Sequence, residues 1–330
     1  MRIARRTSTR PPSTRPRRGL LLLVTLLAAG SCSPTRDLLG TVASSFGDGG
    51  AGAGGDASAD GRFLGAPRFS APVLVPAISD PQADDEDPSF TGDLTELYFS
   101  STRAGGSDIW VSQRASKNDP WGPPTMVVEL SSPGTDRSPS VSLDGSAIWL
   151  ATDRDLRLGR IWRSTRVNRM PWSTPVPVGE LASPNFDTAP SVDATQTVMF
   201  FSSLRTSSTP GQPSTTGTDI FSSTRPAVGA PWGLPERVAG LDSFLDESDP
   251  FVAQGGLVVF FTLSRTNQPG DLYWSRRRST EGAFPPPQPL VDVNSPFIDA
   301  DATLSADLLY LMFASNRSGN TEIYESHALE

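Results

Sequence analysis

Residues 136–154 read DRSPSVSLDGSAIWLATDR, and the fold follows from how these positions pair. Two runs of β-branched, aromatic and small residues flank Asp144-Gly145, a dipeptide that favours the tight turn of a β-hairpin. If the chain folds back there, Arg154 returns beside Asp136, and the two charges meet where the hairpin closes. Alone, such a unit is only a hairpin. Its meaning comes from repetition.

Aligned on its first aspartate, the unit occurs five times, as DEDPSF at 85, DRSPSV at 136, DTAPSV at 187, DESDPF at 246 and DADATL at 299, spaced 51, 51, 59 and 53 residues apart. Each start leads into an apolar run (ELYFSS, AIWLAT, TVMFFSS, LVVFFT, LLYLMFAS) that ends at an arginine. The pairs are Asp85 with Arg103, Asp136 with Arg154, Asp187 with Arg205, Asp246 with Arg265 and Asp299 with Arg317, with steps of 18, 18, 18, 19 and 18 residues. A third run carries Ile109-Trp110, Ile161-Trp162, Ile220-Phe221, Leu272-Tyr273 and Ile323-Tyr324, each with a serine two residues past the aromatic.

The fourth element is an aromatic with proline three residues later: Trp121 and Pro124, Trp172 and Pro175, Trp232 and Pro235, Phe284 and Pro287. Proline donates no amide hydrogen, so this strand belongs on an outer edge. The fifth copy lacks the element, yet the same signature stands ahead of the first copy, as Phe69, Pro72 and Ile78. Five four-stranded units with the last strand supplied from the opposite end of the chain predict an all-β, five-bladed β-propeller closed by its N-terminal strand. An open array of β-units, or a pair of sandwiches, would have no use for that permuted strand.

At this point PSVSLDGSAIWLATDR (139–154), YFSSTRAGGSDIW (98–110) and FASNRSGNTEIY (313–324) resemble the WD40-like repeat family of TolB-type propellers and bacterial envelope lipoproteins. The resemblance covers residues 69–330 and implies the propeller fold. A fold does not fix a function. The additional domains that accompany such propellers in relatives have no counterpart in these motifs, so a Tol-type role is not carried over.

The ends of the chain set the compartment. Residues 1–31 hold seven arginines and then LLLVTLLAA before Gly30 and Ser31, the layout of an export signal and too short to span a bilayer. Cys32 is the only cysteine, which excludes an internal disulfide and a thiol metal centre, and AAGSC resembles a lipobox in which Cys32 becomes the lipid-bearing residue. Residues 32–62, rich in glycine, alanine, serine and aspartate, read as a lipidated cysteine with a flexible tether, and 63–330 as the propeller. With the seven leader arginines set aside, 21 basic residues stand against 36 acidic ones, a net charge of about −15. That balance excludes nucleic acid as a partner.

The expectation is a monomeric, non-enzymatic binding or scaffold module of the bacterial outer membrane, facing either side. It would need no cofactor and no metal, touch the membrane only through its lipid, and bind an envelope protein or polysaccharide. A carbohydrate-active hydrolase is the alternative, since glycoside hydrolysis needs two carboxylates about one sugar bond. Asp87 and Asp249, each followed by proline, occupy equivalent strand starts that the repeat does not require, with Ser138, Ala189 and Asp301 in the other copies. They are the candidate residues for binding or chemistry, with acidic residues at the ring mouth also suited to calcium. His327, the only histidine, lies near the end of the chain and lacks partners for a metal site or a relay. The insertion TSSTPGQPSTTGT at 206–218 lengthens one loop of blade three and marks a second place for a partner.

Overall fold

The computed structural model describes residues 66–155, 159–205, 217–265 and 268–329. The signal at 1–31, Cys32, the tether to residue 62 and residues 206–216 of the blade-three insertion lie outside the described residues. Strand β1 (Val73–Leu74) comes first. Blade one then contains β2 (Asp85–Phe90), β3 (Glu96–Ser101), β4 (Asp108–Gln113) and β5 (Thr125–Met126). Blade two contains β6 (Asp136–Val141), β7 (Ala147–Thr152), β8 (Arg160–Thr165) and β9 (Val176–Pro177). Blade three contains β10 (Asp187–Val192), β11 (Val198–Ser203), β12 (Asp219–Thr224) and β13 (Glu236–Arg237), and blade four β14 (Asp246–Ala253), β15 (Val258–Ser264), β16 (Asp271–Arg276) and β17 (Gln288–Pro289). Blade five contains β18 (Asp299–Leu304), β19 (Tyr310–Ser315) and β20 (Glu322–His327), and its fourth strand is β1.

All five sheets are antiparallel and four-stranded, which is the expected propeller. Closure is a strand pairing: Val73 opposes Glu325 and Leu74 opposes Tyr324, with Phe69 bridging Ala328. The fourth strands are two-residue edges that follow the signature prolines, Pro124, Pro175, Pro235 and Pro287. Each sheet buries its faces against the next blade, so the core is five seams. Tyr98, Ile109 and Leu130 of blade one meet Val141, Ile148 and Trp172 of blade two in one of them. Near the axis, serines stitch the inner strands together: Ser89, Ser140 and Ser191 each accept a hydrogen bond from the next blade, from the amides of Val141, Val192 and Val252 at 3.0, 3.2 and 2.9 Å.

Four of the five expected charge pairs form. Arg103 bridges Asp85 at 2.6 Å, Arg154 bridges Asp136 at 2.7 Å, Arg205 bridges Asp187 at 2.6 Å, and Arg317 bridges Asp299. Each arginine also donates through Nε to the hydroxyl ending the second strand (Ser101, Thr152, Ser203 or Ser315) and through Nη2 to a backbone carbonyl of the incoming loop. The four aspartates are buried, so these are interior clamps that fix where each blade begins.

The pair Asp246–Arg265 does not form. Asp246 is exposed and accepts the Thr218 amide at 2.9 Å, and Arg265 is exposed. Counting back from Asp249, which matches Asp87, the strand-start carboxylate of blade four is Glu247, eighteen residues before Arg265 and 1% exposed. The longer glutamate is engaged by the Ser243 hydroxyl instead. Among the described residues no arginine bridges it.

Burial, and to a smaller degree the charges of Asp219 and Asp242, push the Glu247 carboxyl up to about 7, while the Ser243 hydrogen bonds oppose the shift. An unfolded glutamate releases its proton near 4.5, so between about 4.5 and 7 the unfolded chain ionises first and stability falls as pH rises. The full contribution is present below that window, and its loss amounts to ~3 kcal/mol. Glu247→Gln should therefore raise the melting temperature at pH 8 by several degrees and change it little at pH 5. Equal effects at the two pH values would refute the assignment.

Candidate active site

Each inner strand breaks register at the same place, with a bulge between Glu86 and Ser89, Arg137 and Ser140, Thr188 and Ser191, Ser248 and Phe251, and Ala300 and Thr303. Inside each bulge one residue takes a left-handed backbone: Asp87 (φ 55°), Ser138 (51°), Ala189 (47°), Asp249 (50°) and Asp301 (57°). Non-glycine residues resist that conformation at a cost of ~1 kcal/mol or more each, and bulges of this kind re-aim side chains. Here the five residues line one axial well, with Pro88, Pro139, Pro190, Pro250 and Ala302 beside them.

The structure thus brings Asp87 and Asp249 together, as two equivalent positions of a ring must be, and adds Asp301. One oxygen from each of the three carboxyls lies within 4.8 Å of the others. Asp87 accepts hydrogen bonds from the Ser100 hydroxyl at 2.8 Å and from the amide and hydroxyl of Ser138 at 3.0 and 3.1 Å. Ser248 donates to Asp249 at 2.6 Å, and the Asp249 amide donates to Ser202 at 2.9 Å.

Carboxyls this close disfavour one another's charged forms. Burial, then the Asp87 charge, pushes Asp249 up to about 6. Burial, then Asp87, Asp249 and Glu86, holds Asp301 well above the ordinary aspartate range. Glu86, one residue before Asp87, is pushed up to about 7 by burial and by Asp87, Asp84 and Asp249, against the pull of Arg137. The cluster therefore favours proton retention on Asp249, Asp301 and Glu86 compared with ordinary carboxyls. The same oxygen set suits a hard divalent cation.

The well holds about 50 Å3, room for a water or two and too little for a sugar ring. Below it Ser89, Ser140, Ser191, Phe251 and Thr303 form a ring shared with a second well of about 70 Å3 on the other side. Asp301 and Glu86 were not among the sequence candidates. Asp301 lacks the following proline that singled out Asp87 and Asp249, although its place in the repeat is the same. Nothing in the repeat signals Glu86, whose copies are Arg137, Thr188, Ser248 and Ala300. His327 is exposed, as expected. Thr218 closes the blade-three insertion on the carboxylate face, where it meets Asp246.

No protein-family profile matches the chain, and no curated protein does. Solved structures do. An α-L-arabinofuranosidase from Podospora anserina, solved with cellotriose, superposes with a TM-score of 0.52 at 11% identity over 80% of this chain and 96% of that one. An α-L-arabinofuranosidase from Lactobacillus brevis gives 0.52 at 13% identity, over 78% and 94%. A putative TolB from Agrobacterium tumefaciens gives 0.47 at 15%, over 76% and 79%. At these identities the likeness is one of fold. Even so, it corrects the expectation of a non-enzyme. α-L-Arabinofuranosidases superpose on this five-bladed ring along nearly their whole length, so the fold gives no ground for excluding an enzyme.

Proposed function

We propose that this protein is a carbohydrate-active hydrolase whose active site is the axial mouth around Asp87, Asp249 and Asp301. The observation that carries the reading is the cluster itself: three inward carboxyls at one end of the ring, at positions the fold does not need, two of them held above the ordinary aspartate range. A water fits the well, and a sugar ring would rest across its mouth. The carboxyl oxygens lie within 4.8 Å of one another, closer than a single displacement allows and near the spacing of a double one. Asp87, held by Ser100 and Ser138, attacks the anomeric carbon and forms a glycosyl ester as the protonated partner of the Asp249–Asp301 pair gives its proton to the departing glycosidic oxygen. That partner, now a carboxylate, takes a proton from water, whose oxygen displaces Asp87 from the sugar, so water adds across the broken C–O bond. The fold's occurrence in arabinofuranosidases supports glycans as the substrate class. In the same proposal, lipidation of Cys32 after signal cleavage holds the enzyme at a bacterial envelope, where a polysaccharide is the partner.

Full-length protein incubated with arabinoxylan, arabinan and aryl furanosides should release reducing sugar. Asp87→Asn and Asp249→Asn should each lower the rate about 100-fold or more with an unchanged melting temperature. Absence of release from every glycan by folded protein would overturn the reading.

A further inference from the structure

Each inner strand is entered through a small closed loop on the face of the axial carboxyls. A serine hydroxyl donates to the acid four residues on: Ser132 to Asp136 at 2.7 Å, Ser183 to Asp187 at 2.8 Å, Ser295 to Asp299 at 2.8 Å, and Ser243 to Glu247. In blade one the Asp80 amide closes the loop on Asp85 at 2.9 Å. The acid stands two residues before the axial position, so the residues it encloses form a tip beside the mouth. The tips read Pro-Gly-Thr at 133–135, Pro-Asn-Phe at 184–186, Phe-Leu-Asp at 244–246 and Pro-Phe-Ile at 296–298, with Pro-Gln-Ala-Asp at 81–84 in blade one.

Closure of the loop uses only its ends, which leaves the tip free to carry something else. Among the described residues Phe244 and Phe297, 84% and 49% exposed, are the only exposed aromatic side chains. Both stand on these tips, in the two blades that supply Asp249 and Asp301, five and four residues ahead of those carboxyls. Ile298, beside Phe297, is exposed as well. Phe186 does not join them: its ring lies under Arg137 at 5.3 Å and against Gly159, where a Cβ would come within 2.5 Å. A single apolar side chain in water needs no explanation, but two aromatics on equivalent loops beside one mouth mark a contact surface.

The other side of the mouth is acidic. Asp84 and Glu86 of blade one add their charges to the axial carboxyls, against Arg137 of blade two. Such a mouth repels a polymer of the same sign and admits an uncharged one. A sugar ring presents C–H groups on one face and hydroxyls at its edge, so it lies flat on an aromatic ring while its hydroxyls stay in water.

We propose that Phe244 and Phe297 form a platform for an uncharged glycan chain, holding the sugars beyond the one that sits over Asp87, Asp249 and Asp301. The inference rests on the hydrolase reading, which places the reacting sugar. The two phenylalanines bind the chain and take no part in breaking the bond, so they set how well a polymer is held rather than how fast a bound one reacts.

The test combines native gel retardation with kinetics on the full-length protein. Gels containing arabinan or a neutral arabinoxylan should retard it, and gels containing polygalacturonate should not. The double variant Phe244→Ala, Phe297→Ala should lose the retardation and raise KM for the polymer about fivefold or more with kcat unchanged. A methyl furanoside, one sugar long, ends before the platform and should keep its KM, and the melting temperature should not move because both side chains already face water. Retardation by a neutral glycan that the double variant loses, with no sugar released, would refute the hydrolase reading and keep the platform. Release of sugar with polymer KM unchanged in the double variant would refute the platform and keep the hydrolase. Equal retardation by polygalacturonate, or none by either neutral polymer, would overturn the proposal and leave the two aromatics to a protein partner.

Discussion

Deletion of residues 63–78 should open the ring and remove most of the protein's stability. The segment supplies the outer strand of blade five, and it buries Phe69, Val75 and Ile78 in the two seams that flank that blade. Burying three such side chains contributes about 5 to 8 kcal/mol, comparable to the ~5 to 15 kcal/mol of a whole domain. The deletion also strips β20 of its partner and exposes an edge that invites aggregation. Circular dichroism melting should show collapse of the transition or its loss. Ile78→Ala, which leaves the pairing intact, should cost only ~2 to 5 kcal/mol. A deletion variant that melts like the full chain would refute closure by this strand.

Asp136→Ala should be among the most damaging single changes at a strand start. Asp136 is fully buried, and its removal leaves the largely buried Arg154 guanidinium without its countercharge. Breaking one side of a buried pair costs ~3 to 5 kcal/mol, or about 6 to 20 °C for a domain of this size. Asp246→Ala, the same substitution at the aspartate that matches it in the sequence repeat, should fall within ~0.5 kcal/mol. Denaturant or thermal melts of the two variants side by side decide it. Similar losses in both would mean that blade four is clamped like its siblings.

That contrast shows how far the repeat could be read. Four clamps were legible because aspartate and arginine sit eighteen residues apart about a hairpin, and hairpin geometry is local. Blade four misled because Asp246 and Glu247 are neighbouring acids. The aspartate matched by type, whereas burial selected the glutamate. Chemical likeness chose one register, and packing chose the other.

The axial site was half legible. Asp87 and Asp249 stood out because proline followed each, but the decisive property is a left-handed bulge at the third position of the aligned inner strand, and five residues of three types share it, alanine included. Asp301, at the same position without the proline, was passed over.

The sequence by itself determined the number of blades, the order of strands and the origin of the closing strand, since each depends on spacing along the chain and on hairpins that form locally. Only the tertiary structure decided which charges meet. Residues 87, 249 and 301 become neighbours when the ring closes about its axis. Contacts between such distant residues are set by how the blades pack, and spacing carries no record of them.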